Sequence, residues 1–306
     1  MTQLPEPAFD RLAAMFRGPD VGGTRYEVVS ILGRGGMGVV YLARDAALDR
    51  EVALKIVDRP SDTDGMAARL AQEARILARL EHPGIVPVHD FGELPDGRWF
   101  YAMKRVRGER LDRWIAAGPD RTARLGVFLR ICDAVAFAHA HGIVHRDLKP
   151  ENVMVAEFGE VLVLDWGVAS LVEPNAAFIT NPVPMAASIV GTPEYMAPEQ
   201  ASGAADVDHR ADVYALGVML DAIGAGTPAL AAIAAKASSF GPDASYQTVA
   251  ALAADVSRFL AGDAVGAHRE RLLDRLARFG RRYRLPILLV FAYLIVRILL
   301  LWLAKI

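Results

Sequence analysis

Eight residues, His145-Arg146-Asp147-Leu148-Lys149-Pro150-Glu151-Asn152, constrain this chain more than any other stretch. They follow a segment whose apolar residues recur at helical spacing: Leu125, Phe128, Leu129, Cys132, Val135 and Ala136. Pro150 biases Lys149 away from helix, so the polar cluster is expected on a rigid loop between packed elements. Asp147, Lys149 and Asn152 put a carboxylate, an ammonium and a carboxamide close together on that loop. The combination suits phosphoryl transfer. The Asp can orient a hydroxyl nucleophile, the Lys can neutralise charge on the moving phosphoryl group, and the Asn can ligate magnesium. A charged surface loop would carry the same residues, so the neighbouring segments must discriminate.

Upstream, Tyr26 to Leu32 is β-rich, Gly33-Arg34-Gly35-Gly36-Met37-Gly38 breaks it, and Val39-Val40-Tyr41-Leu42 resumes. That is the pattern of a hairpin. Glycines at 33, 35 and 38 fit a phosphate-covering flap and also a dinucleotide fingerprint, but the fingerprint must open a helix. Here a strand follows, although a plain glycine-rich hairpin stays open on these residues alone. Glu51 to Val57 reads as a further strand carrying Lys55. Met66 to Leu80 has helical spacing (Leu70, Ala74, Leu77, Ala78), with Glu73 on a neighbouring face. Taken alone, Lys55 and Glu73 are one strand charge and one helix charge, most often solvated. Ile85 to Val88 and Trp99 to Met103 read as strands, with a turn at Pro95-Asp96-Gly97. A short helix is expected over Leu111 to Ala117 and a long one over Arg121 to His141. Asn152 to Val155 and Val161 to Leu164 alternate like a hairpin that delivers Asp165-Trp166-Gly167. His139 and His141 lie two apart, so on a helix they face apart and cannot share a metal.

Taken together, these stretches resemble the bacterial eukaryotic-like Ser/Thr protein kinases, and His145 to Asn152 is similar to that family's catalytic loop. The resemblance covers about Tyr26 to Leu260. It implies an α+β, bilobal protein-kinase-like fold over residues 26–262, with a small β-rich N-lobe (26–103) and a helical C-lobe (107–262). Lys104-Arg105-Val106 would be the hinge. The implied catalytic residues are Asp147, Lys149, Lys55 and Glu73, with Glu73 pairing Lys55 so that it holds the α- and β-phosphates. Nucleotide contacts would come from Gly33, Gly35, Gly36, Gly38, Val40, Ala53, Lys55, Met103 and Met154, and metal contacts from Asn152 and Asp165. ATP and Mg2+ are the implied cofactors, and proteins offering Ser or Thr the implied substrates. Gly191 to Glu199 resembles the family's substrate-docking end, where Thr192 would contact Asp147 and Lys149. Asp212 is similar to the residue that holds the catalytic loop's backbone, and His145 to one that packs beneath the loop. Residues 168–191 have the composition of an activation segment, in which Thr180 and Ser188 are candidate phosphorylation sites and Arg146 a partner for the phosphate.

Three departures stand out. Trp166 replaces the family's Phe, which should alter fit more than chemistry. The C-lobe is shortened after residue 221, where Gly224 to Pro228 leads almost at once into Leu230 to Ala237. An Arg expected just before Tyr246, which would pair with Glu199, is absent. Losing one member of a buried pair costs about 3–5 kcal/mol unless the pocket is rebuilt or wet. A nucleotide-binding pseudokinase scaffold at the membrane is therefore the alternative to an active kinase.

Composition adds bounds at both ends. Net charge is −2 in 306 residues, so no bulk attraction to nucleic acid is expected. The single cysteine, Cys132, excludes an intrachain disulfide, fits a reducing compartment and reads as a core residue. Residues 1–25 read as an N-terminal extension, whose Pro5, Glu6, Pro7 and Asp10 sit where an export signal would be apolar. At the other end, fourteen of the twenty residues from Leu285 to Ala304 are Leu, Ile, Val or Phe. On an insertion scale they contribute roughly −4 to −8 kcal/mol against about +3 for Arg297. A transmembrane helix is expected over 285–304, a buried hairpin helix being the other reading. Seven arginines between Arg269 and Arg284 favour the span, as part of a basic juxtamembrane helix over 263–284. By the positive-inside rule the kinase-like domain would be cytoplasmic. Only Lys305 and Ile306 follow, so the expectation is a single-pass, tail-anchored protein of the cell membrane, with membrane lipids as partners and self-association left open.

Overall fold

The structure, a computed structural model, describes residues 18–35, 38–57, 66–167, 169–171, 192–204, 207–224, 226–241, 243–268 and 284–303. The β-branched and aromatic runs at the start form an antiparallel five-stranded sheet ordered β1-β2-β3-β5-β4. Its strands are β1 (Tyr26–Gly35), β2 (Gly38–Asp45), β3 (Arg50–Ile56), β4 (Val88–Glu93) and β5 (Trp99–Lys104). One face buries Val39, Tyr41, Val52, Leu54, Ile56, Phe100 and Ala102 in a small core of their own. Helix α1 (Met66–Arg79) packs by β4 and β5 and sends Leu70, Ala74 and Leu77 into the main core. Edge strand β1 is interrupted by irregularities between Val28 and Ser30 and between Ile31 and Gly33, features that blunt an exposed edge.

The strand expected at 85–88 is displaced. β4 begins at Val88, and Ile85 makes a single parallel bridge to Val163 of the C-lobe. Pro83 and Pro87 explain the shift, since proline lacks the N–H that a ladder needs. Gly84 O accepts instead from Val163 N–H at 2.8 Å, tying the two lobes.

In the C-lobe a short strand that the sequence reading lacked, β6 (Gly108–Arg110), leads to α2 (Leu111–Ala116) and α3 (Arg121–Ala140). Asp120 caps α3 by accepting from Ala123 N–H at 2.8 Å. Leu125, Phe128, Ile131, Cys132 and Val135 of α3 are fully buried, so Cys132 is a core residue as its spacing suggests. β7 (Ile143–Val144) precedes the catalytic-type loop, and β8 (Val153–Ala156) and β9 (Val161–Val163) follow it as a hairpin paired to β6. β10 (Ser170–Leu171) returns to β7. The remaining elements are α4 (Pro198–Ala201), α5 (Arg210–Gly224), α6 (Pro228–Ala237), α7 (Val249–Leu260) and α8 (Arg284–Leu303). The tight α5–α6 connection depends on Gly217: a Cβ there would sit 2.7 Å from the Ala237 Cβ and the Ser238 nitrogen.

Glu199, expected to be a buried acid without its partner, is half-buried, and Arg210 of α5 feels its charge. The pocket is thus partly wet, which removes most of the penalty of an orphaned charge. Residues 263–268 are not helical, where the start of a basic helix was expected, and 269–283 lie outside the described residues, as do 1–17 and 172–191. On α8, apolar side chains from Leu285 to Ile298 are exposed. Among the described residues, no helix is long and apolar enough to cross a membrane.

Tyr246 marks the end of the lobe. Its hydroxyl donates to Asp255 Oδ2 at 2.8 Å, and Asp255 also accepts from Gly266 N–H (3.0 Å), Ala267 N–H (3.1 Å) and Arg258 (2.8 Å). Burial works against the Asp255 carboxylate, but these donors hold its pKa below the usual range. A depressed folded-state pKa gives stability that is present above the unfolded value of about 4 and is lost as pH falls below it. Asp255→Ala should therefore cost about 3 kcal/mol at pH 7 by leaving buried donors unsatisfied. Thermal unfolding at pH 7 and pH 3 checks this: the gap between wild type and variant should shrink at the lower pH.

Candidate active site

Strand register assembles one wall of the site. Val40 lies opposite Lys55, Ala53 opposite Met103, and Lys55 opposite Tyr101. Opposed residues project to the same face. Val40, Ala53, Lys55, Tyr101 and Met103 thus share the sheet face turned away from the Leu54 and Ile56 core. Met154, half-buried on β8, comes from the C-lobe. Above the sheet, a Cβ on Gly33 or Gly35 would meet nothing within 4 Å, so protein packing does not demand glycine there. What glycine preserves is room for a group to approach the backbone. Gly38 differs. It has φ +140°, and a Cβ would lie 2.1 Å from Ile56 O, so the fold itself requires it. Gly36 lies outside the described residues.

Lys55 and Glu73 are brought together, not solvated. Lys55 Nζ lies 2.8 Å from both Glu73 oxygens and 2.9 Å from Asp165 Oδ1. Burial opposes the Lys55 ammonium, but Glu73, then Tyr101 and Asp165, raise its pKa well above the usual lysine range. Burial likewise pushes the Glu73 carboxyl up, against the pull of Lys55. With two bonds from an ammonium, we take the pair as ionised. The sequence reading missed Tyr101, whose hydroxyl donates to Glu73 Oε1 at 2.9 Å. The structure's strand register places Tyr101 directly across from Lys55 on β3 and β5.

The loop from His145 to Asn152 is held from below by Asp212. Its Oδ2 accepts from His145 N–H (2.8 Å) and its Oδ1 from Arg146 N–H (2.9 Å). His139 Nε2 lies 2.7 Å from the same Oδ2, a role that sequence spacing did not reveal. His141 Nδ1 instead approaches Phe137 O at 2.8 Å, so the two imidazoles have separate partners. His145 is buried, its Nε2 3.0 Å from Leu164 O and its ring 4.6 Å from that of Trp166. Trp166 is also fully buried, and its indole N–H donates to Val163 O at 3.4 Å. Arg146 and Asp165 adopt left-handed φ angles of 68° and 58°, strained for non-glycine residues and maintained by these contacts.

Above the loop, Asp147 is surrounded by donors. Lys149 Nζ lies 2.8 Å from its Oδ2, and Asn152 Nδ2 3.1 Å away. Thr192 approaches Oδ1 with its N–H at 3.0 Å and its hydroxyl at 3.2 Å. The Thr192 hydroxyl also accepts from Lys149 at 2.7 Å, closing the expected triangle. Asn152 spends amide hydrogens on Asp147, so its carbonyl oxygen is the ligating atom it can offer. With the Asp165 carboxylate, it supplies oxygen donors of the kind magnesium prefers. Among the described residues, no group of three or more His, Cys, Asp or Glu forms a metal cage. Magnesium commonly needs none, taking one or two carboxylates and completing its shell with phosphates and water.

A family model for the protein kinase domain matches residues 26–253. Among curated proteins, Ser/Thr-protein kinase pkn2 of Myxococcus xanthus is 42% identical over 200 residues, covering 64% of this chain and 24% of that protein. Ser/Thr-protein kinase PknB of Mycolicibacterium smegmatis is 37% identical over 280 residues, covering 79% of this chain and 44% of its own length. The chain thus spans less than half of either relative. The crystal structure of the Mycobacterium tuberculosis PknI kinase domain superposes with a TM-score of 0.60 at 28% identity, covering 79% of this chain and 99% of that one.

The Asp212 anchor is testable without any assay of activity. Asp212→Ala should leave His145 and Arg146 N–H groups unpaired, at about 1–3 kcal/mol each. Hydrogen exchange at those two amides should accelerate more than at the α3 core amides. Equal acceleration throughout would reduce Asp212 to a general stability residue.

Proposed function

Because the chain belongs to the protein kinase family, we propose that it is an ATP- and magnesium-dependent kinase that phosphorylates Ser or Thr hydroxyls of proteins at a membrane. The observation that carries this reading is the triangle of Asp147, Lys149 and Thr192, with distances of 2.8 and 2.7 Å from the lysine. It sets a carboxylate and an ammonium together where a small hydroxyl can be oriented.

Magnesium-bound ATP would supply the phosphoryl group and shield its charge. Asn152 and Asp165 would hold the metal. Lys55, steadied by Glu73, would grip the α- and β-phosphates, under the hairpin that carries Gly33, Gly35 and Gly38. Asp147 accepts the hydrogen bond of the substrate hydroxyl and aligns it, and Lys149 offsets negative charge as the phosphoryl group moves. Transfer of label from ATP to protein, with magnesium, tests the assignment. Lys55→Met and Asp165→Asn should each lower the rate by about 10²–10³, and Lys55→Met should also lower the melting temperature because it leaves Glu73 buried without its cation. Nucleotide binding without transfer in wild type would identify the scaffold reading, which the shortened lobe favours.

We further propose that residues 285–304 span a membrane, with the arginines of 269–284 on the cytoplasmic side. The support is hydropathy, the adjacent basic run and the exposed apolar side chains of α8. Each basic residue near an anionic surface adds about 1 kcal/mol. Confinement would raise the effective concentration of membrane-associated substrates and so offset weak docking at the shortened lobe. Carbonate washing of membranes from cells making the full chain should leave it in the pellet; release with peripheral proteins would reject the span. Phosphorylation of Thr180 or Ser188 is the proposed control, and phosphopeptide mapping of active protein should find one of them modified.

A further inference from the structure

Tyr101 is fully enclosed between β5 and the main core, yet it carries a polar group. A buried phenol needs a partner, and here it is Glu73 Oε1 at 2.9 Å. The same oxygen accepts from Lys55, and Lys55 is contested: it also lies 2.9 Å from Asp165 Oδ1. Asp165 is the more exposed of the two acids, its side chain 48% accessible against 0% for Glu73. Whether Lys55 points at the nucleotide wall therefore depends on how firmly Glu73 is fixed. Lys55 alone cannot fix it, because both long side chains can swing together. Tyr101 can, since its ring sits rigidly on the sheet directly opposite Lys55. The Lys55 Nζ also lies 5.7 Å from the Tyr101 ring centroid, within reach of its π face.

We infer that Tyr101 is a positioning residue for phosphoryl transfer, whose hydroxyl locks Glu73 in the orientation that presents Lys55 to the ATP phosphates. Phe at this position would keep the ring and the packing and remove only the lock. The inference rests on the kinase reading for where ATP lies, and on the contacts of Tyr101, Glu73 and Lys55 for the rest.

The test uses the full chain and a fluorescent ATP analogue with magnesium, whose binding is read without turnover. Tyr101→Phe should weaken analogue binding about tenfold, the order expected for losing a hydrogen bond to a charged group. The KM for ATP should rise in parallel while the KM for a protein substrate stays near wild type. In a Glu73→Gln background the same change should add less than about twofold, because the residue acts through Glu73. Wild-type analogue affinity in Tyr101→Phe, or an equal loss in both backgrounds, would overturn the assignment. A chain that binds the analogue with this pattern but transfers no phosphate would instead reject the proposed activity and leave the Tyr101 role standing.

Discussion

Burying the Lys55 ammonium would cost several kcal/mol if no carboxylate met it, and much of the N-lobe is arranged so that one does. Glu73 arrives from α1, Asp165 from beyond β9, and Tyr101 from β5, so one cation ties a helix, the sheet and the C-lobe to a single point. None of these elements is local in sequence to another. A slip of one residue in the β3–β5 register would turn either Lys55 or Tyr101 to the opposite face, away from Glu73. The pair therefore works as a registration device: the sheet can close in one way without stranding a charge.

Asp212 plays the corresponding part in the C-lobe, by accepting main-chain donors instead of a side-chain cation. The His145 and Arg146 N–H groups of the loop it supports find their acceptor outside the loop, and Arg146 is held there in a left-handed conformation. Burial disfavours the Asp212 carboxylate, and the His139 hydrogen bond and charge, followed by His145, hold its pKa below the usual range. An acceptor kept ionised at the centre of the lobe holds the backbone of the loop that carries Asp147, Lys149 and Asn152.

How far this was legible in the sequence differs by kind of interaction. The helix over Met66–Arg79, the long helix ending at Ala140 and the hairpin after Asn152 followed from apolar spacing, because period and burial are local properties. Asp147, Lys149 and Thr192 were placed by resemblance, and they meet as that resemblance implied. The strand drawn at 85–88 failed because two prolines displaced the ladder to Val88. Tyr101 and His139 went unseen for another reason: each looks like an ordinary core residue until its partner, 28 or 73 positions away, is known. Glu199 was misjudged in the other direction. A pairing inferred from relatives made it seem buried, whereas in this chain solvent reaches it and Arg210 stands near.

The link between the lobes shows which contacts carry force. At the hinge, Glu51 of β3 pairs with Arg105 and Arg107, and Lys104 reaches Glu160 at 2.7 Å. All are at least partly solvent-exposed, and such pairs are individually weak. They can bias the angle between the lobes but cannot fix it. The inner contacts differ: Lys55 to Asp165, Gly84 O to Val163 N–H, and the buried Trp166 ring tilted against His145 in the common core. All three pass through the segment 163–166, immediately after β9. That short stretch therefore couples Lys55 above to the anchored loop below.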